Sequence, residues 1–302
     1  MKVELNKYSI SYRDDLALLD HFDTVQFALN PGVHPAVRRS ATMVRSVCSL
    51  YPKIKVICHY DYNYHITKYS AYTREVQTAF LTEISELTSV SNDNFLGVVV
   101  HTDSPYKMGT LTDMFPDSLI HKAYSKDIYN PTVLIDYLSD PMALSLSSIQ
   151  NFFSDWIKTN PVKGIYLENN VNTCPRDRIF GDPIDLLKRA ILPVADLGVG
   201  LCLDTEHLFA STTSYAMVSA IQELQGKLPM MVHLNCIPAK VHKNSRLDLH
   251  SSTTIFECSQ YDAETYMKLV SYLDDKGIPY VREVNKTTRE REDLQLRKWQ
   301  NK

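Results

Sequence analysis

Eight short apolar segments recur along the 302-residue sequence, and helical patterns lie between most of them. Segments of five or six residues rich in β-branched side chains are typical of strands buried on both faces of a parallel sheet. The predicted strands are residues 3–8, 24–29, 55–60, 97–102, 164–169, 200–205, 231–235 and 280–285. Eight strands that alternate with helices predict an α/β protein, a (β/α)8 TIM barrel that forms a single domain over residues 1–302.

The segments between the predicted strands show the period of amphipathic helices. In residues 74–87, for example, Val76, Phe80 and Ile84 fall on one face. Similar patterns predict helices at residues 147–158, 183–192, 214–224, 263–275 and 287–300. Two stretches lack such a period, about 103–141 and 236–258, and we predict elaborated loops there, the first with a short helix.

The composition is that of an ordinary soluble globular protein, with 44% hydrophobic and 22% charged residues. No run approaches the roughly 20 apolar residues that span a bilayer, and the N-terminus lacks a signal-peptide pattern. Six cysteines without a CxxC pair favour free thiols in a reducing compartment. We therefore expect an intracellular protein without a membrane partner, in cytoplasm or nucleus, or in a virion if the source is viral.

The formal net charge of −3 argues against binding nucleic acid through bulk positive charge. Local basic patches and bound cations remain compatible with such binding.

Candidate metal ligands lie at or near the carboxyl ends of predicted strands three to eight. They are His59, His101, Glu168, Asp204, His233 and Glu283. In a TIM barrel these ends converge on the face where active sites are built. Taken singly, each residue is explained at least as well by a buried, hydrogen-bonded histidine or an ion-paired carboxylate. Together they indicate a zinc or manganese site, because several buried carboxylates repel one another unless cations compensate them.

Three further candidates follow the sixth and seventh strands. His207 comes three residues after Asp204, so a helical turn would point it back over the strand end. Asp248 and His250 lie two residues apart and face the same way in an extended segment. With His207 they would complete another metal site. An equally simple reading is that Asp204 caps the next helix and His207 is a hydrogen-bonded surface residue.

At these positions the sequence resembles the endonuclease IV family of abasic-site DNA endonucleases. The matching segments run in family order from about residue 24 to residue 285: HYDY at 59, VVVHTDS at 98, YLEN at 166, LDTEHLFA at 203, VHLN at 232, RLDLH at 246 and REVN at 282. Each of the nine ligand positions of the family carries the expected residue type.

The resemblance implies three zinc ions, with manganese as the alternative at one site. The implied ligands are His59, His101 and Glu168 for the first ion, Glu168, Asp204, His233 and Glu283 for the second, and His207, Asp248 and His250 for the third. Glu168 would be the bridging catalytic ligand, and a hydroxide held by the metals would be the nucleophile. The implied activity is base excision repair by a monomer that hydrolyses the phosphodiester 5′ to an abasic site in double-stranded DNA, leaving a 3′-hydroxyl.

The resemblance also implies contacts with DNA. Tyr62 and Asn63 occupy the loop whose side chains enter the minor groove when family members flip the abasic nucleotide. Basic residues on the predicted catalytic face would hold phosphates: Arg38, Arg39, Lys240, Lys243 and Arg246, together with Arg45, Lys68, Arg176 and Arg178. For any single one, a solvated surface charge is the simpler reading. The chain departs from the family at Gly32 and Val33, where an arginine often enters DNA.

Two other functional classes remain open. A metal-dependent sugar isomerase or epimerase of the xylose-isomerase-like barrel class uses a similar quartet, here Glu168, Asp204, His233 and Glu283. Such an enzyme has no use for the other five candidate ligands. The last alternative is a non-catalytic DNA-binding protein on the same fold, in which an unmetallated polar cluster would only cost stability.

Overall fold

The computed structural model describes residues 7–10, 19, 22–29, 37–60, 65–102, 141–169, 188–207, 217–236, 254–257 and 263–301. Eight strands form one sheet in chain order, and each neighbouring pair is parallel. They are β1 (Lys7–Ile10), β2 (Thr24–Ala28), β3 (Lys55–His59), β4 (Phe95–His101), β5 (Gly164–Glu168), β6 (Val199–Asp204), β7 (Met230–His233) and β8 (Tyr280–Val281). The Arg282 amide donates a hydrogen bond to the Lys7 carbonyl at 2.8 Å, which joins β8 to β1. The predicted TIM barrel is therefore confirmed.

Some strand ends differ from the prediction. β1 runs to Ile10, two residues beyond its predicted end. β8 stops at Val281 instead of continuing to residue 285. Just beyond it, the Glu283 amide donates to the side-chain oxygen of Asn235 at 3.0 Å. A side chain thus replaces the next rung of the backbone ladder, which satisfies the amide and ends the strand.

Helices surround the sheet, and the described α-helices overlap predicted ones except for residues 37–50, which were not predicted to be helical. The described helices include α1 (Val37–Leu50), α2 (Arg74–Thr88), α3 (Pro141–Ile157), α4 (Met217–Leu224), α5 (Ala263–Asp275) and α6 (Lys286–Gln300), with 3-10 segments at Ile66–Ala71, Leu192–Leu197 and Ile255–Glu257. α2 starts after Thr73, whose hydroxyl accepts a hydrogen bond from the Val76 amide. It buries Phe80 and Ile84 on the face that the sequence pattern predicts. Helix α3 also includes six residues ahead of its predicted start.

Two apolar layers support the barrel. The larger one lies between strands and helices, and the smaller consists of Ile57, Val99, Cys202, Met231 and Val281, with Leu96 and Tyr166 packed against it. Because strand side chains alternate between faces, the smaller layer is the inward-facing set. These residues fill the interior below the carboxyl ends of the strands. The barrel is consequently a packed core that supports a site at one end.

The predicted elaborated loops, apart from their margins, lie outside the described residues, which exclude 103–140 and 237–253. The described cysteines Cys48, Cys58, Cys202 and Cys236 are buried and free, in agreement with the expectation of thiols. Within the described part of the chain, none of the helices has the length and apolar character needed to cross a membrane.

Candidate metal centre

Six predicted ligands come together at the carboxyl end of the barrel. Five are the last residues of β3 to β7, and Glu283 follows β8 by one intervening residue: His59, His101, Glu168, Asp204, His233 and Glu283. Parallel register brings neighbouring ends level, because Asp204 pairs with His233 and His101 pairs with Glu168. The placement that the strand pattern predicts is therefore found in the structure.

One oxygen of Glu168 faces two imidazoles. Its Oε2 lies 2.8 Å from Nε2 of His59 and 2.8 Å from Nε2 of His101. The two imidazole nitrogens are 3.1 Å apart. His59 has its Nδ1 2.8 Å from the Tyr60 carbonyl, which can only accept, so Nδ1 carries a proton and the neutral ring presents its lone pair at Nε2. These three atoms form a triangle of metal-ligand dimensions, since donors at about 2.1 Å in a tetrahedral zinc site are separated by about 3.4 Å.

The other oxygen of Glu168 belongs to a second group of donors. Nδ1 of His233 lies 3.0 Å from Glu168 Oε1, 3.2 Å from Glu283 Oε2 and 3.8 Å from Asp204 Oδ2. Ligand atoms of these four residues all lie within 4.8 Å of one another. Three carboxylates and one imidazole suit zinc or manganese, and three acids this close, of which Glu168 and Asp204 are buried, need compensating positive charge. The described residues therefore form a buried cluster able to hold metal ions.

The turn after β6 brings Asp204 and His207 into contact. Asp204 Oδ1 accepts a hydrogen bond from the His207 amide at 2.8 Å, so the carboxylate caps this turn while Oδ2 faces the cluster. The capping reading and the ligand reading thus use different oxygens. His207 is 5% exposed, which makes the reading of a surface histidine wrong. Its Nδ1 lies 2.8 Å from the Asn169 carbonyl, leaving Nε2 as its lone-pair nitrogen.

The predicted third metal site also needs Asp248 and His250, which lie outside the described residues. A ligand role for His207 would use Nε2, because its Nδ1 lies against the Asn169 carbonyl. His207 also approaches the shared cluster, with Nδ1 3.5 Å from Glu168 Oε1.

Two asparagines that the sequence reasoning did not single out hold the acidic ligands in place. Asn235 donates from Nδ2 to Asp204 Oδ2 at 2.7 Å and to Glu283 Oε2 at 2.9 Å. Asn169 clamps the backbone of Asp204, accepting from its amide at 2.7 Å and donating to its carbonyl at 3.0 Å. Both are fully or almost fully buried. Their signal was present in the quoted segments YLEN and VHLN, where each follows a ligand by one or two positions. Gln26, on β2, also reaches the cluster.

Burial and the neighbouring charges have opposite effects on the pKa values of the cluster residues. Burial alone would raise the pKa of Glu168, but the neighbouring His101 and His233 hold it well below the usual value. Burial would lower the pKa of His233, yet Cys202, Glu283 and Glu168 raise it well above the usual value. His59 behaves similarly, because its hydrogen bond and attraction to Glu168 outweigh burial and raise its pKa. Without metal, the raised pKa values of His59 and His233 favour protons on these two rings, which would offset the charge of the carboxylates.

Zinc binding is expected to release protons and to weaken as the pH falls. A ligating imidazole must lose its proton, and the raised pKa values of His59 and His233 keep these rings protonated further into the neutral range. Affinity should therefore rise with pH until it passes those pKa values. Isothermal titration calorimetry in buffers of different ionisation enthalpy measures the protons released. Zinc added to already loaded protein provides the blank, and binding without proton release at and below neutral pH would contradict the expectation.

The predicted DNA-contacting residues are only partly within the described structure. Those outside it are Tyr62, Asn63, Arg176, Arg178, Lys240, Lys243 and Arg246. Arg38 and Arg39 lie in α1, with side chains outside the described part. Lys68 is 5% exposed, which contradicts its predicted role as a surface phosphate contact.

Arg45 also departs from its predicted place on the catalytic face. Its guanidinium lies 3.2 Å from the Ser89 hydroxyl, just after the end of α2. In a TIM barrel, the helix that precedes a strand ends near that strand's amino end, opposite the active-site face. Arg45 therefore lies towards the opposite end of the barrel from the cluster.

No protein-family model matches the sequence, and no curated protein is significantly similar to it. Among solved structures, a xylose isomerase domain protein from Alicyclobacillus acidocaldarius subsp. acidocaldarius is similar over 98% of this chain and 97% of that one, with 12% identity and a TM-score of 0.53. A D-psicose 3-epimerase from Clostridium cellulolyticum H10, solved with D-tagatose, is similar over 97% of both chains, with 11% identity and a TM-score of 0.52. A xylose isomerase domain protein from Planctomyces limnophilus is similar over 96% of this chain and 93% of that one, with 13% identity and a TM-score of 0.51. At this identity the similarity shows the fold alone, a TIM barrel.

Proposed function

We propose that the protein is a zinc-dependent endonuclease that hydrolyses the phosphodiester 5′ to an abasic site in double-stranded DNA. The observation that carries this proposal is the two-sided use of Glu168. Its Oε2 faces His59 and His101, whereas its Oε1 faces His233. One carboxylate between two donor groups is the arrangement that holds two cations side by side, and paired cations are typical of phosphodiester hydrolysis.

When bound, a pair of cations would lower the pKa of a water molecule and neutralise charge on a phosphate. The side chains contribute by holding this chemistry in place. Glu168 would bridge the ions, and His59 presents Nε2 because its other nitrogen donates to the Tyr60 carbonyl. Asn235 keeps Asp204 and Glu283 aimed at a common point. The network leaves few ways for the ligands to rotate, which favours a preorganised site.

A sugar isomerase or epimerase is the second candidate. It is supported by the compact quartet of Glu168, Asp204, His233 and Glu283 and by the named function of the similar psicose epimerase. A single cation in the quartet would leave His59 and His101 without a ligand role. In the proposed nuclease both imidazoles would be metal ligands, and for this reason we rank it first.

Incision of abasic DNA by the zinc-loaded chain is the expected result that tests the proposal. A labelled duplex with one abasic-site analogue should be cut once, 5′ to the lesion, with a 3′-hydroxyl at the new end. Removing metal with a chelator should lower the rate at least about a hundredfold, equivalent to about 3 kcal/mol of barrier, and zinc should restore it. Elemental analysis of the same sample should find more than one zinc ion per chain.

An intact duplex of the same sequence is the matched control and should stay uncut. Conversion of D-psicose or a related ketose by protein that holds one metal ion and does not cut DNA would favour the second candidate. Absence of both activities with several metals bound would contradict the proposed DNA substrate, since the metal cluster would then be intact without this reaction.

A further inference from the structure

Gln26 places a carboxamide inside the barrel, directly against two candidate ligands. It lies in the middle of β2, is fully buried, and pairs in register with Ile57 of β3. Its inward-facing neighbour Ile57 belongs to the apolar interior layer. Gln26 instead contacts His233 and Glu283, from β7 and the segment after β8.

The chemistry of the two contacts fixes which way the carboxamide points. Glu283 Oε1 lies 2.7 Å from one end of the amide, and a carboxylate can only accept, so that end is the Gln26 NH₂ group. The other end is therefore the amide oxygen, which lies 2.8 Å from His233 Nε2. An oxygen acceptor there requires that His233 carry a proton on Nε2.

We propose that Gln26 is a positioning residue that makes Nδ1 the ligand atom of His233 and aims Glu283 at the same metal. With Nε2 donating to Gln26, Nδ1 is the nitrogen that faces the carboxylates, and it is the one that would bind a metal ion held among them. The bond to Glu283 Oε1 leaves Oε2 facing His233 Nδ1 at 3.2 Å. One amide thus sets the orientation of two ligands on separate strands. The inference rests on the metal centre of the proposed function, and it concerns the quartet rather than the DNA.

The quartet and the triangle of His59, His101 and Glu168 should respond differently to loss of this amide. In the triangle, the orientation of His59 is set by the Tyr60 carbonyl, whereas the Gln26 contacts described above reach His233 and Glu283. Replacement by methionine keeps length and burial but removes both hydrogen bonds. The His233 ring then loses its fixed partner, and one carboxylate oxygen of Glu283 loses its donor.

Gln26→Met is expected to weaken the binding of one zinc ion by about 10- to 100-fold, while another zinc ion binds as in the wild type. Competition against a chromophoric zinc chelator, with zinc alone as the probe and the full chain as the sample, measures the successive affinities. The matched control is Ile57→Met, which changes the in-register neighbour without touching the polar cluster. It should leave every zinc affinity within about twofold of the wild type, because no ligand changes its hydrogen bonds.

A spectroscopic readout separates positioning from a general loss of structure. In zinc-loaded wild type labelled with ¹⁵N-histidine, the His233 resonances should show a proton on Nε2 and metal on Nδ1, with assignment by loss of these signals in His233→Asn. This measurement needs no variant of Gln26, so it stands even if Gln26→Met folds poorly. A proton on Nδ1 of His233, or equal weakening of all zinc ions in Gln26→Met, would overturn the inference. Because the probe is zinc binding, the result holds whether or not abasic DNA is cut.

Discussion

Glu168→Gln is expected to abolish incision of abasic DNA, with a rate loss of at least about a thousandfold, equivalent to about 4 kcal/mol of transition-state stabilisation. The substitution preserves the size of the side chain but makes it neutral and turns one oxygen into an NH₂ donor. The NH₂ group must replace one of the two carboxylate oxygens. If it replaces Oε2, His59 and His101 lose the oxygen that they face, and if it replaces Oε1, His233 does. The bound zinc should fall by at least one ion per chain.

Binding of abasic duplex should survive this change within several-fold, because the predicted DNA contacts lie on other residues. Gel-shift or fluorescence anisotropy titrations with the uncut duplex would measure it. Glu223→Gln makes the same chemical change at an exposed carboxylate paired with Lys188 on the surface, and it should incise normally. Near wild-type cleavage by Glu168→Gln would exclude the bridging assignment.

The barrel was predictable because its strands are buried on both faces and are separated by helices, whose apolar residues recur with a different period. Residues 200–205 illustrate this, since Val199–Asp204 is buried throughout and ends at the predicted acid. The two-residue β8 was less predictable. The predicted strand YVREVN runs to residue 285, but the side chain of Asn235 takes the amide of Glu283 out of the ladder. That partner is 48 residues away in sequence, and strand propensity carries no sign of it.

The positions of the candidate ligands were also predictable, because a polar residue at the end of a buried strand breaks an apolar pattern and so stands out. The residues that orient them were not. Gln26 and His233 are 207 positions apart, and a single glutamine within TVQFA has no periodic or compositional signal of its partner. For Lys68, the sequence led to a wrong prediction of exposure. A lysine after a strand suggests a surface charge, yet the 3-10 segment Ile66–Ala71 folds against α3 and buries it.

Local sequence patterns also give no sign of a buried ion pair that lies close to the cluster. Arg282 and Glu292 are fully buried and meet in two hydrogen bonds, Nε to Oε1 at 3.0 Å and Nη2 to Oε2 at 2.6 Å. Burial would lower the pKa of Arg282, but Glu292 raises it well above the usual value, so the guanidinium stays charged. Glu292 also accepts from the Ile255 amide at 2.8 Å, and Arg282 donates to the Leu234 carbonyl. The pair therefore ties α6 to the ends of β7 and β8.

Glu292→Met is expected to lower the free energy of unfolding by about 3–5 kcal/mol, the usual cost of leaving one buried charge without its partner. Arg282→Met should cost a similar amount, since it strands the carboxylate. The double variant Arg282→Met with Glu292→Met should lose clearly less than the sum of the single losses, because no isolated charge remains inside. Urea unfolding of metal-free protein, followed by circular dichroism, measures all four chains of this cycle. Additive losses would show that the two side chains act independently. Strong coupling would establish that the charge pair, and not the packing volume of either residue, holds α6 against the strand that precedes Glu283.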